Sequence, residues 1–306
     1  MKKTAYLLSA LLLIVLFAAV FYFASDRSSV YAQRTEPAGR MSSTVRSTPA
    51  MHDPSTSAVA FAAAADRNAQ LRRSLSWVFG AKAQTGWEIY VPLIAHTIGV
   101  DAEADSPEFA AALSKWQGRN ALQPTGILET DTLQALIRFW QGQRLGHSGA
   151  PAEGTLLSAP ISEFFDHSRD PGLLQLERRA YAAYKRMLAA AAQDLGTALK
   201  FTKTGELAEG EKFLRIVSAY RSPAYQEALR RKEPNAGRGA LAKFSAHATG
   251  QALDLYVGGE PVTTKDHNRL LQVQTPAYKW LVKNANRFGF YNYFFEPWHW
   301  EYVPGR

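Results

Sequence analysis

The chain has 306 residues, 46% of them apolar, a formal net charge of +8 and no cysteine. That length suits one or two domains plus extensions, and the absence of cysteine excludes disulfide frameworks, thiolate metal sites and cysteine nucleophiles. Lys and Arg are not interleaved with aromatics, which argues against a nucleic-acid partner. The positive charge suits an anionic membrane surface or a polyanionic cell wall.

Lys2 and Lys3 precede an uncharged apolar run from about Ala5 to Ala24. A span of ~20 residues matches a transmembrane helix and exceeds the core of a cleaved signal. Residues 1–25 are therefore expected to anchor the chain in the inner membrane, with the lysines cytoplasmic and the remainder facing the periplasm. If Val30-Tyr31-Ala32 is a cleavage site, the remainder is secreted; either way it resides in the cell envelope. Residues 26–57 are rich in Ser, Thr, Pro, Ala and Arg and are expected to be a disordered tether.

Residues 58–146 read as a small all-α unit. Helical spacing appears over 58–79 (Leu71, Leu75, Val78) and over 107–120 (Phe109, Leu113, Trp116). A turn at Pro124-Thr125-Gly126 leads to a helix over 129–144, which Thr130 or Asp131 would cap and Leu133, Leu136, Ile137 and Trp140 would bury. Residues 147–170 are expected as a linker, since 146–160 are rich in Gly, Ala, Ser and Pro. In residues 171–306, helices are expected over 173–195, 222–232 and 276–288. Strands are expected over 213–218, 251–257 and 299–303. Mixing without regular β-α alternation predicts an α+β domain, a small antiparallel sheet with flanking helices.

Three islands in this last part carry chemistry. They are Ser218-Ala219-Tyr220-Arg221-Ser222 with Gln226; the run from Ser245 through His247 and Gly250 to Asp254; and Glu296-Pro297-Trp298-His299-Trp300. On the strand over 251–257, Leu253, Leu255 and Val257 share the core face, so Asp254 points to the opposite layer beside the small Ala252. A buried carboxylate stays charged only with a cation or several donors, and zinc accepts His and Asp ligands. Pro297 restrains Glu296 to an extended or turn conformation, placing it on a loop or bulge ahead of the His299 strand. Three ligands and an open position are the form of a catalytic zinc site: His247, Asp254 and His299 for the metal, Glu296 free to act as base. Taken singly, each of these residues has a structural explanation, with Arg221 a plain helix-start residue and Ser222 its cap. Their joint occurrence within one short stretch favours the site.

Two resemblances follow. The helical hairpin resembles the small peptidoglycan-binding domain of bacterial wall hydrolases through Trp116-Gln117, Thr125-Gly126, Glu129, Thr132 and Ala135-Leu136, with Glu129 standing where Asp is usual. Residues 175–303 resemble the VanY-type D-alanyl-D-alanine carboxypeptidases. Their S-x-H-x-x-G-x-A-x-D motif is met by Ser245, His247, Gly250, Ala252 and Asp254; their E-P-W-H motif by Glu296 to His299; their Y-R-S segment by Tyr220, Arg221 and Ser222, with Gln226 beyond. One departure is a short connection, Tyr291 to Phe295, between Gly289-Phe290 and Glu296. The resemblance implies zinc, an α+β fold and cleavage of peptidoglycan stem peptides, with L,D-carboxypeptidase or endopeptidase action as alternatives and a non-catalytic wall-binding role as a further one. It also implies that Arg221 stabilises an oxyanion or holds a substrate carboxylate, and that Ser245, Gln226 and Tyr220 bind the stem peptide.

Overall fold

Residues 54–146, 149–232 and 245–305 are described by the computed structural model, with side chains from Phe61 onward. The expected anchor and nearly all of the expected tether lie outside the described residues. Among the described residues, no helix is long and apolar enough to cross a membrane.

The first helix, α1, spans Pro54–Ser74 and stops short of the helix expected to reach residue 79. Beyond it the burial period becomes two: Trp77 is buried while Val78 is exposed. Gly80 and Ala81 both have positive φ (57° and 64°), the geometry of a tight hairpin turn, so β1 (Ser76–Phe79) pairs with β2 (Lys82–Thr85). A 3-10 turn, Glu88–Tyr90, leads into α2 (Val91–Ile98), which the sequence reading did not anticipate. Next, α3 (Pro107–Arg119) is capped by the Ser106 hydroxyl, which accepts from the Phe109 amide. Its partner α4 (Thr130–Gln141) begins after Glu129 without a side-chain cap, so neither Thr130 nor Asp131 plays that role.

The supposed linker contains β3 (Leu156–Ser158), which pairs with β4 (Gln175–Glu177). The carboxylate of Glu177 accepts from the amides of Arg179 and Ala180, both at 2.9 Å. That cap fixes the start of α5 (Arg178–Leu195), later than expected. The remaining elements are β5 (Ile216–Ser218), α6 (Pro223–Lys232), a 3-10 turn at Ala246–Thr249, β6 (Ala252–Leu255), α7 (Asp266–Gln274), α8 (Pro276–Asn284), β7 (Phe290–Asn292) and β8 (His299–Tyr302). Among the described residues they give the α+β architecture one larger sheet, antiparallel throughout in the order β5-β6-β8-β7.

Register decides which side chains meet. Ser218 lies opposite Asp254, and Asp254 opposite His299, so the three form one row across the sheet. Ala252, Glu301 and Tyr291 form the next row on the same face. Leu253, Leu255 and Trp300 point the other way, into a core with Tyr184, Met187 and Leu281. The same core extends to Trp77, Tyr90, Phe109 and Trp140 of the helical segment. Phe294, just before Glu296, sits against Phe79, Tyr90 and Trp140, with ring centroids 4.8, 5.4 and 5.8 Å away.

Candidate functional site

His247 is placed by a short turn with two fixed ends. The Ser245 hydroxyl accepts from the His247 amide at 3.3 Å, and Gly250 closes the turn with φ 72°. The Gly250 carbonyl accepts from the Glu177 amide at 2.9 Å, which ties the turn to the start of α5. Asp254 comes from the central strand β6 and His299 from its neighbour β8. These three residues, 2%, 1% and 6% exposed, bring one ligand atom each within 4.8 Å of the others.

The donor set fits zinc. His247 Nδ1 is 2.6 Å from the Ala219 carbonyl, and His299 Nε2 is 3.1 Å from Glu301 Oε1. Each ring donates there through one nitrogen, which leaves His247 Nε2 and His299 Nδ1 facing a common point. They are 3.2 Å apart, and Asp254 Oδ1 is 3.2 and 2.9 Å from them. Ligands around tetrahedral zinc, with bonds of about 2.0–2.1 Å, stand roughly 3.3 Å apart, so the three atoms are already close to coordinating distances.

Charge follows the same geometry. Burial and the Arg221 guanidinium push His247 down to about 4, keeping it neutral. Asp254 is held well below the usual carboxylate range: burial opposes this, but the neighbouring His247, the Arg221 guanidinium and the hydrogen bond from His299 prevail. For His299, burial disfavours the cation, yet the hydrogen bonds to Asp254 and Glu301 raise it to about 9 in the metal-free protein. Arg221 reaches Asp254 Oδ2 at 2.6 Å and lies 3.2 Å from His247 Nε2, while its Nε donates to the Ser218 hydroxyl.

Glu296 occupies the loop between β7 and β8. Its amide donates to the Tyr293 carbonyl, and its own carbonyl accepts from the His299 backbone amide and the Asn292 side-chain amide. Pro297 thus leads through a turn into the strand. Burial pushes the Glu296 carboxyl up to about 7, and the charges of His299, Asp254 and Arg221 also act on it.

The other expected residues are spread around this centre. Ser245 is engaged as the turn's cap, Gln226 is buried on α6, and Tyr220 is half-buried, with its amide bonded to the Gln175 carbonyl. Two residues escaped the sequence reading. Glu301 is 1% exposed and accepts from His299, from the Leu145 amide at 2.9 Å and from Arg144. Its signal was alternation, since two residues past His299 lies on the same face. Arg144 carried none, being contributed by the helical segment. There, Trp116 and Trp140 are buried, and Gln117 bonds the Gly126 amide, the Ile127 carbonyl and the Thr132 hydroxyl. Its motif residues therefore hold the hairpin together.

No curated protein sequence matches the chain. A solved structure that resembles it is the vancomycin-resistance D,D-pentapeptidase VanY, a point mutant from a VanB-type resistance cassette in complex with Zn(II). It is 20% identical over 42% of this chain and 73% of that one, with a TM-score of 0.28. The family model described as VanY, D-alanyl-D-alanine carboxypeptidase, matches residues 173–305. The segment matched by that model, residues 173–305, is the part of the chain that holds the His247, Asp254 and His299 cluster, and it is similar to the VanY D-alanyl-D-alanine carboxypeptidases.

Proposed function

We propose that this chain is a zinc-dependent D-alanyl-D-alanine carboxypeptidase that trims peptidoglycan stem peptides. The observation that carries the zinc reading is the convergence of three buried ligand atoms from three separate elements, each histidine oriented by a second partner. His247, Asp254 and His299 hold the metal. When bound, zinc supplies a Lewis acid that polarises the scissile carbonyl and acidifies water. A carboxylate oxygen of Glu296 takes the proton of the attacking water and returns it to the nitrogen of the leaving D-alanine. A base near 7 suits that exchange at neutral pH, and the burial of Glu296 supports the assignment. Arg221, which in the metal-free protein bonds Asp254 and Ser218, is the cation assigned to the developing oxyanion or the substrate's terminal carboxylate. Tyr220, Ser245 and Gln226 border the stem peptide.

The apolar run at residues 5–24 supports an inner-membrane anchor that holds this activity in the periplasm. Purified protein would be incubated with defined muropeptides, with and without a chelator, and the products identified by mass. Chelator-sensitive loss of one terminal D-alanine is expected. Cleavage of an L,D bond or of a crosslink would change the specificity assigned here, and no turnover of any substrate would overturn the enzymatic reading.

A further inference from the structure

The metal ligands lie within residues 173–305, but one support of His299 comes from far earlier in the chain. For His299 to offer Nδ1 to a metal, its proton must reside on Nε2, and Glu301 Oε1 stands 3.1 Å from that nitrogen. Glu301 is almost fully buried opposite the small Ala252 of β6. A carboxylate placed there needs donors for both oxygens. Arg144 bonds Oε1, and the Leu145 amide donates to Oε2 at 2.9 Å. Arg144 is itself immobilised, since its Nη1 donates to Gln141 at 2.6 Å and its guanidinium lies 4.1 Å over the Tyr293 ring. Tyr293 opens the short loop that carries Glu296, and the Glu296 amide bonds its carbonyl. One arginine at the end of the helical segment thus touches the support of a metal ligand and the loop of the base.

We propose that Arg144 and Glu301 are positioning residues for the metal centre, so that the helical segment forms part of the catalytic apparatus. Glu301 fixes the tautomer and tilt of the His299 ring, and Arg144 with the Leu145 amide holds the Glu301 carboxylate aimed at it. The inference rests on the zinc reading above.

The test uses the full chain and Zn(II) itself, measured by competition with a chromophoric chelator, together with the visible spectrum of the Co(II)-substituted protein. Glu301→Ala is expected to weaken zinc binding roughly 10- to 100-fold and to alter the Co(II) bands. Arg144→Ala should weaken it toward the lower end of that range, with Arg144→Lys recovering most of the loss. Arg73→Ala, which removes an exposed ion pair to Glu88 within the same segment, should leave zinc affinity unchanged. Glu301→Gln, close in shape, serves if the alanine variant does not fold, and should also weaken binding. Wild-type affinity and Co(II) spectrum in the Glu301 and Arg144 variants would overturn the inference, even if their thermal stability fell. A wild-type chain that binds no zinc would overturn the zinc reading first, and this inference with it.

Discussion

At the scale of single residues, Glu296 separates chemistry from metal binding. It is not among the converging ligand atoms, so Glu296→Gln should retain one zinc per chain while turnover falls roughly 10²- to 10⁴-fold, the usual worth of a general base. Metal analysis beside a kinetic assay checks this; loss of zinc with activity would make Glu296 a ligand instead. Its raised pKa also has a consequence for stability. The folded protein holds this proton up to about 7, against an ordinary 4.5 in the unfolded chain. The stabilising contribution is therefore complete below about 4.5 and is lost as pH rises through 7. In the metal-free protein the loss is on the order of 3 kcal/mol at most. Metal-free Glu296→Gln should thus unfold at a higher temperature than the wild type at pH 8, with the gap closing by pH 4. For catalysis the sign reverses, because only the ionised base works. The acidic limb of kcat/KM should lie at or below about 7, lower where bound zinc favours the carboxylate.

At the scale of elements, the turn that carries His247 depends on Gly250. An added Cβ there would lie 2.9 Å from the Glu177 amide nitrogen and 2.8 Å from Leu156 Cδ2, at φ 72°. Gly250→Ala should cost roughly 1–3 kcal/mol and weaken zinc binding by shifting His247; thermal melts and chelator competition read both. The same elements show what a sequence reveals. The direction of Asp254 was legible because strand alternation put Leu253 and Leu255 in the core and turned Asp254 away, while His247 was marked only by the Gly250 turn that follows it. Glu296 was legible because Pro297 demanded a turn. The hairpin of Trp77 and Val78 was not, since Leu71, Leu75 and Val78 also satisfy a helical period and only Gly80-Ala81 decides for strands. The Glu177 cap was equally hidden, as Leu173 and Leu174 extend the apolar pattern of α5 backward. Arg144 could not be placed at all, because its partner is 157 residues away.

At the scale of the whole molecule, the segment expected as a separate wall-binding module shares its core with the peptidase part. Phe294 is 1% exposed and packs against Phe79, Tyr90 and Trp140 of the helical segment. Arg269, 2% exposed, bonds both the Tyr90 hydroxyl (3.2 Å) and the Phe295 carbonyl (3.1 Å). Deleting the helical segment would expose a buried aromatic worth about 1.5–3 kcal/mol by itself, leave the Glu301 carboxylate without Arg144, and strip the support from the base loop. The aromatic alone is a sizeable fraction of the whole stability of an ordinary domain, about 5–15 kcal/mol, and the other two losses add to it. Residues 149–306 expressed alone should therefore be poorly folded, with exposed apolar surface and little bound zinc. Circular dichroism, dye binding and metal analysis of that fragment against the full chain provide the check. A fragment that melts cooperatively near the full chain's temperature and holds zinc with the same affinity would mean that the shared core adds nothing to the site.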